Sequence, residues 1–185
     1  MPVIDHRRHS LRAKPGPDLT PEGVALARRV GAGEFGAVPV YDRVLTSTLP
    51  RAFQTAIAMG VAVDEQLDSL AMMGSAAFAE YRWPQPIAVA ARALLGSGPA
   101  GTFAAAQAEL LADVAASLLP EGSALIVSHG GIVEAGAVAL LPDADHAAWG
   151  PPIGYVEGIR LYFEGAHCQR AELLRLPSDL YVVES

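Results

Sequence analysis

Two histidines lie far apart in the chain, and each follows a short apolar run. His9 comes directly after Arg8 within residues 3–10, and His129 precedes two glycines within residues 124–131. Between them, Arg51 lies near the start of a predicted helix. A neutral imidazole can attack phosphorus, and a guanidinium group binds two phosphate oxygens at once. These four side chains predict a site that moves a phosphoryl group without a metal.

Each of these residue types suits that chemistry for a physical reason. Phosphoryl transfer depends mostly on positioning and on electrostatic stabilisation of the phosphate oxygens. The attacking nitrogen has to be neutral, and Arg8 and Arg51 should lower the pKa of His9 because like charge disfavours the imidazolium. Arg51 stands in a first helical turn, where unpaired N–H groups favour an anion. Gly130 allows the backbone to approach the group that His129 contacts.

The elements that must position these residues follow from the apolar pattern. Short β-branched runs alternate with Ala-rich helical stretches, which is typical of an α/β layer fold with a mostly parallel sheet. Thr20 and Pro21 predict a helix start, and Gly31 its end near residue 30. The predicted strands are residues 3–7, 43–46, 123–128, 155–163 and 170–176. A second helix is predicted to begin near Arg51, and two more are predicted over residues 102–119 and 132–141. Residues 96–101 are predicted to be a flexible break.

Composition limits the class of protein. The chain has 185 residues, which fits one domain, and its net charge of −7 argues against a general nucleic-acid binder. Cys168 is the only cysteine, so no intramolecular disulfide can form. No apolar run is long enough for a membrane span, and the first residues carry charges where a secretory signal would be apolar. We therefore expect a cytoplasmic protein that binds neither nucleic acid nor membrane.

Four motifs occur in order along the chain: Arg8-His9-Ser10, Leu-Thr-Pro-Glu-Gly at 19–23, Ser-Thr-Leu-Pro-Arg-Ala-Phe-Gln-Thr-Ala at 47–56, and Ser128-His129-Gly130. Taken singly, each is also compatible with an ordinary turn or an exposed arginine. In this order and spacing they resemble the motifs of the histidine phosphatase superfamily, in its phosphoglycerate mutase-like branch, over nearly the whole chain.

The resemblance implies a single three-layer α/β/α domain over residues 1–185, with a mostly parallel central sheet. Residues 61–101 would form an excursion over the substrate side. His9 would accept the phosphoryl group, and Arg8, Arg51 and His129 would bind it. The backbone N–H of Gly130 would add a further donor. The implied activity is metal-independent phosphomonoester hydrolysis, without a cofactor, on a small phosphorylated substrate or a phosphoprotein.

The general acid is where the chain departs from the family pattern. Many relatives carry a glutamate in a Leu-x-Glu segment beyond the second arginine, and Ser69 stands in that place here. We predict Glu80 as the proton donor, with Asp68 as an alternative. Glu134, an isolated carboxylate on an apolar helix, either donates the proton or orients His129. If no acid reaches the site, slow turnover or substrates with good leaving groups are expected.

Other functions remain open at this point. A phosphoglycerate mutase-type transferase usually has a longer segment after the acid, so hydrolysis is favoured, and a phosphatase of protein phosphohistidine is a further possibility. A metal-dependent hydrolase would use Asp5, His6, His9 and His129, although residues three apart on a strand face opposite sides. A non-catalytic protein that binds phosphate ligands would explain the missing acid. The natural substrate and the oligomeric state have no signature in the sequence.

Overall fold

A computed structural model describes residues 1–183, which form one central sheet covered by helices on both faces. The strands are β1 Val3–Arg8, β2 Arg43–Ser47, β3 Glu65–Leu67, β4 Ser123–Ser128, β5 Gly158–Glu164 and β6 His167–Leu174. The helices are α1 Pro21–Gly31, α2 Pro50–Ala58, α3 Ser75–Tyr81, α4 Ile87–Leu94, α5 Pro99–Ser117 and α6 Ile132–Leu140, with a short 3₁₀ helix at Asp68–Leu70. Within the described residues, none of these helices is both long and apolar enough to span a bilayer.

The strand order β3-β2-β4-β1-β5-β6 brings the motif-bearing strands side by side. Strands β3, β2, β4 and β1 are parallel to one another, and β5 and β6 add an antiparallel edge. Arg8 at the end of β1 pairs in register with Ser128 at the end of β4. The residues that follow, His9 and His129, therefore leave the sheet at the same edge. The expected mostly parallel α/β/α architecture is confirmed.

Alternate side chains of the buried strands point to opposite faces of the sheet and pack into two separate cores, because the side chains of a strand have a period of two residues. Ile126 and its same-face neighbours pack against α3, α4, α5 and α6. Leu125 and Val127 face the other way and pack against α1 and α2. The apolar runs of the sequence are therefore explained by a sheet that is covered on both sides.

Three element starts differ from the sequence prediction by three residues, and one of them is that of β6, which begins at His167 and not at residue 170. Helix α5 begins at Pro99, inside the predicted flexible break, because Gly101 lets this first turn lie directly against the carbonyl of Gly96. Strand β5 begins at Gly158 and not at Tyr155. Residues 151–157 instead form a loop that carries Tyr155 toward the end of β1. The predicted excursion also contributes to the sheet, since Glu65–Leu67 pairs with β2 before α3 and α4.

Candidate active site

His9 is held with one ring nitrogen bonded and the other facing an arginine. Its Nδ1 lies 2.7 Å from the carbonyl oxygen of Ser10, and the Nε of Arg51 lies 3.2 Å from its Nε2. An arginine nitrogen can only donate, so Nε2 of His9 accepts and the ring proton resides on Nδ1. In this tautomer the lone pair of Nε2 lies on the side of the ring that faces Arg51. A nucleophilic imidazole needs this arrangement.

His129 stands beside His9, with the two ring centroids 5.1 Å apart. Its Nε2 lies 2.7 Å from the hydroxyl oxygen of Ser47, the last residue of β2. Its Nδ1 is buried and has no hydrogen-bond partner among the described residues. The two histidines thus lie close together after the ends of neighbouring parallel strands, β1 and β4.

Arg8 is the fourth residue of the group. Its side chain is buried, and its guanidinium donates to the carbonyl oxygen of Ile153 over 3.1 Å. The guanidinium carbon lies 4.0 Å from the ring centre of Tyr155 and 4.8 Å from that of Trp83, so two aromatic faces hold it. Tyr155 also contacts His9, at 5.5 Å between ring centres. Arg8, His9, Arg51 and His129 therefore converge on one site.

Burial and the neighbouring cations keep both imidazoles neutral. Burial lowers the pKa of His9 well below 6.5, and His129 and Arg8 lower it further. Burial, followed by Arg51 and Arg8, lowers the pKa of His129 to about 3. At neutral pH the site is therefore two neutral imidazoles and two guanidinium groups, which together present a net positive charge to an anion.

A hydroxyl network fixes the loop that follows β1. The hydroxyl oxygen of Thr55 accepts from the backbone N–H of Ser10 at 2.9 Å and donates to the carbonyl oxygen of Arg51 at 2.7 Å. The hydroxyl of Ser10 donates to the carbonyl oxygen of Gly23 in α1 at 2.7 Å. Helices α1 and α2 thereby set where His9 sits relative to Arg51.

The glycine pair after His129 is shaped by close contacts. Gly131 has φ +86°, which glycine adopts without strain. A side chain on Gly130 would overlap the indole ring of Trp83, so only glycine fits there. The role of the Gly130 N–H as a phosphate donor stays a prediction.

The three carboxylates considered as general acids are all engaged elsewhere. Glu80 is exposed, and its carboxylate accepts from the backbone N–H of Ala100 at 2.8 Å, at the start of α5. The prediction that Glu80 donates the proton is not supported by this position, which instead stabilises the positive end of a helix. Asp68 accepts from the hydroxyl of Thr48 at 2.8 Å on the surface.

Glu134 is fully buried and does not bond to His129. One carboxylate oxygen accepts from the N–H of Gly131 at 2.7 Å, and the other accepts from the N–H of Ile153 at 2.9 Å and the indole N–H of Trp83 at 3.1 Å. Because Ile153 accepts from Arg8 and Trp83 stacks on it, this carboxylate organises the surroundings of Arg8. The sequence prediction that Glu134 orients His129 is therefore wrong, because Glu134 orients the groups around Arg8 instead.

Two of the residues in the metal-site alternative are committed to other contacts. Asp5 accepts two hydrogen bonds from Arg160, at 2.6 and 2.8 Å, and one from Tyr41 at 2.6 Å. His6 lies 2.6 Å from the hydroxyl oxygen of Ser128. Over residues 1–183, no three histidine, cysteine, aspartate or glutamate side chains are grouped as metal ligands.

A cavity of about 430 Å³ opens beside Arg51 and His129. Apart from Ser75, its other lining residues are glycines and apolar residues, the larger of which are Met72, Met73, Phe78, Trp83 and Ile132. Among the described residues that line it, Arg51 and His129 are the only ionisable side chains, and none is a carboxylate. A ligand that fills the cavity would have its charged group at Arg51 and His129 and a mostly apolar environment around the remainder.

Several residues of the site were not predicted from the sequence. Ser47 and Thr55 belong to the third motif, so their positions at fixed offsets from Arg51 could have indicated a role. Tyr155 was predicted within a strand, and the Pro-Pro-Ile-Gly segment before it is the signal that it lies in a loop. The contact between Trp83 and Arg8 depends on tertiary packing and has no local signature.

The fold, the shared strand edge and the two facing histidines define a phosphoryl-transfer site of the histidine phosphatase type. The family model of the histidine phosphatase superfamily (branch 1) matches residues 5–173, and the chain belongs to that superfamily. No curated protein matches the chain.

Solved structures with the same fold include two phosphatases. Phosphoserine phosphatase from Entamoeba histolytica, solved with 3-phosphoglyceric acid, is 16% identical with a TM-score of 0.59, covering 94% of this chain and 96% of its own. Mycobacterial glucosyl-3-phosphoglycerate phosphatase, solved with VO3, is 21% identical with a TM-score of 0.63, covering 92% and 97%. YhfR from Bacillus stearothermophilus is 18% identical with a TM-score of 0.55, covering 91% and 95%. At these identities, the likeness shows a shared fold.

Proposed function

We propose that the protein hydrolyses phosphomonoesters without a metal, through a phosphohistidine formed on Nε2 of His9. The observation that carries this proposal is the orientation of His9. Its Nδ1 proton is bonded to Ser10, and its Nε2 lone pair faces the Nε of Arg51 at 3.2 Å. Family membership supports the same activity.

The first step transfers the phosphoryl group to the enzyme. Arg8, Arg51 and His129 bind the phosphoryl oxygens, and the Gly130 N–H adds a donor. The lone pair of His9 Nε2 attacks phosphorus in line, and the bond from phosphorus to the ester oxygen breaks. The leaving oxygen takes the bonding electron pair. Charge on the phosphoryl oxygens is balanced by the two guanidinium groups throughout.

The second step regenerates the enzyme. A water oxygen attacks phosphorus, the P–N bond breaks, and its electron pair returns to Nε2 of His9. Inorganic phosphate leaves, and the proton lost by the water passes to solvent. The hydrogen bond from Nδ1 to the Ser10 carbonyl stabilises the positive charge that the ring carries between the two steps.

Of the alternatives, a phosphoglycerate mutase-type transferase is disfavoured by the cavity. A phosphoglycerate brings a carboxylate as well as a phosphate, and burial of an unpaired carboxylate is costly. Among the described residues that line the cavity, Arg51 is the only permanent cation, and it is engaged with the phosphoryl group in this mechanism. A phosphate binder without catalysis has the same cation set, so the two differ in whether His9 becomes phosphorylated.

The test is a comparison of wild type with His9→Ala on p-nitrophenyl phosphate, with EDTA present. We expect wild-type turnover to survive EDTA and intact-mass analysis to detect one added phosphoryl group after rapid acid-free quenching. His9→Ala should lose both signals, and Arg51→Ala should reduce turnover by about 100-fold or more, as loss of one transition-state donor does. Arg92→Ala, which removes an exposed arginine of α4, is the control for loss of a positive charge. Equal inactivity of wild type and His9→Ala, with phosphate ester still bound, would establish a binder instead.

A further inference from the structure

The apolar cavity beside the phosphoryl site identifies the part of the substrate that leaves. We propose that this protein acts on phosphate esters of phenols, with the aromatic leaving group held in the cavity lined by Met72, Met73, Phe78 and Trp83. This inference rests on the proposed function, because it needs phosphoryl transfer to His9.

Charge and shape favour an apolar leaving group. Arg51 and His129 line the cavity, and the other described residues that line it carry no ionisable group. A volume of about 430 Å³ falls in the usual range of small-molecule sites, about 300–1,000 Å³. An amphipathic ester with an anionic head and an apolar body matches this division. A leaving group with its own carboxylate or ammonium would lose hydration without gaining a partner.

Among residues 1–183, no carboxylate lines the cavity, and this favours a phenol over an alcohol as the leaving group. Glu80 is bonded to the start of α5, and Glu134 uses both oxygens on backbone and indole N–H groups. A phenol has a pKa of about 10, and water one of about 15.7, near which simple alcohols lie. Phenolate can therefore leave with the P–O bonding pair and be protonated later by solvent. An alkoxide needs a proton during bond cleavage, and a positioned acid contributes about 10²–10⁴-fold to such a step.

Trp83 offers a specific contact for an aromatic ring. Its indole is fixed by the hydrogen bond to Glu134 and by its stacking on Arg8, and one part of it borders the cavity. Phe78 and Met72 border the opening with 52% and 75% of their surfaces exposed, so apolar area is available to a ligand and is not consumed by the core. Aromatic pairs add attraction beyond the area that they bury.

The decisive comparison uses two esters that match in size and differ in the leaving group. Phenyl phosphate and cyclohexyl phosphate both present a six-membered apolar ring. We expect kcat/KM to be at least about 100-fold higher for phenyl phosphate, the factor attributed to a missing acid. Within a series of substituted phenyl phosphates, kcat/KM should fall steeply as the pKa of the phenol rises. Phosphoserine should be a poorer substrate than either phenyl phosphate or a phosphotyrosyl peptide. The ratio of kcat/KM for phenyl phosphate to kcat/KM for a phosphotyrosyl peptide tells whether the phenol comes from a small molecule or from a peptide.

A variant comparison tests the cavity itself. Phe78→Ala should lower kcat/KM for phenyl phosphate about tenfold relative to that for acetyl phosphate, which has a good leaving group but no ring; one apolar contact changes such ratios by 10-fold or more. Val89→Ala, an exposed apolar residue of α4 outside the cavity, should leave the ratio unchanged. If acetyl phosphate phosphorylates His9 while phenyl and cyclohexyl phosphate react equally, the phenol proposal is overturned and the proposed function stands. If no ester phosphorylates His9, both fall together.

Discussion

At the scale of single residues, the site depends on buried polar side chains that are each positioned by neighbouring groups. His9 is positioned by a backbone carbonyl, His129 by a strand-end hydroxyl, and Arg8 by a carbonyl and two aromatic faces. None of these contacts is with another charged side chain. The guanidinium groups of the site attract an incoming phosphate.

The buried carboxylate of Glu134 yields a prediction at this scale. Glu134→Gln replaces one acceptor oxygen with an amide that donates, so at least one of the N–H groups of Gly131, Ile153 and Trp83 loses its partner. We expect a loss of about 1–3 kcal/mol in the free energy of unfolding, measured by urea denaturation. Since Ile153 and Trp83 hold Arg8, KM for a phenyl phosphate should rise as well.

The same variant separates a positioning role from an acid role. A positioning residue should lower kcat/KM by a similar factor for good and poor leaving groups. An acid should lower it mainly for poor ones, because only those need the proton. Glu80→Gln is the matched control, since Glu80 is an exposed carboxylate bonded to α5. A selective loss with cyclohexyl phosphate in Glu134→Gln would contradict the assignment of Glu134 to positioning.

At the scale of elements, His9 and His129 follow parallel strands at one edge of the sheet, and α1 and α2 contact the loop that carries His9. Helix α1 touches the loop after His9 through Gly23, whose Cα faces the backbone of Leu11 without room for a side chain. The hydroxyl of Thr20 caps the same turn by accepting from the Gly23 N–H at 3.0 Å. The start of α1 is therefore fitted to the nucleophile loop, and not only to the core.

Gly23→Ala is expected to destabilise the protein, although helix propensity alone predicts the opposite. Alanine is favoured over glycine inside a helix by about 0.8–1.0 kcal/mol. A new methyl group against the Leu11 backbone costs about 1–3 kcal/mol, because a main chain cannot move aside as a flexible side chain can. Overpacking should win, so the thermal midpoint and kcat should both fall.

Gly16→Ala provides the matched glycine control for this prediction. An added methyl group at Gly16 meets only the Ala13 carbonyl oxygen at 3.4 Å and the Ala13 side chain at 3.6 Å, which are ordinary contacts. Its thermal midpoint should stay near that of wild type. A stabilised Gly23→Ala variant with full activity would mean that α1 does not position the loop.

The elements were predictable where local pattern and tertiary environment agree. Strand β4 and helix α6 are mostly apolar, and the Gly130-Gly131 turn between them marks where one ends and the other begins. The start of α5 was missed because Gly101 reads as a helix breaker, whereas its lack of a side chain permits the contact with Gly96. The start of β5 was missed because Tyr155 has strand propensity but packs on Arg8 and His9.

At the scale of the whole molecule, a positively charged site lies in a chain of net charge −7. The motifs predicted which cations and imidazoles converge, because three of the four motifs carry them in the expected order. They did not predict the environment, since the Trp83 and Tyr155 contacts and the position of Glu80 depend on how distant segments pack. The apolar cavity also depends on how distant segments pack, and for this reason the sequence offered no signature of the substrate.

Buried neutral histidines make the stability of the whole domain depend on pH. The pKa of His6 is lowered to about 3 by burial, and that of His129 to about 3 by burial and by Arg51 and Arg8. In the unfolded chain both return to about 6.5. Between these values the unfolded state binds protons that the folded state does not, so stability falls as the pH drops from about 6.5 toward 3. Each site contributes a slope of roughly 1.4 kcal/mol per pH unit.

His6→Gln isolates one of these contributions from the carboxylates that also titrate in acid. The amide can bond to Ser128 but cannot bind a proton, so the loss of unfolding free energy per pH unit between pH 6 and 5 should shrink by roughly 1.4 kcal/mol, measured by urea denaturation. Ser128→Ala is the control: it removes the 2.6 Å contact to His6 but keeps the buried imidazole, so it should lower stability while retaining the wild-type slope. Burial lowers the pKa of His6. An unchanged slope in His6→Gln would mean that the imidazole is already protonated in the folded state at these pH values.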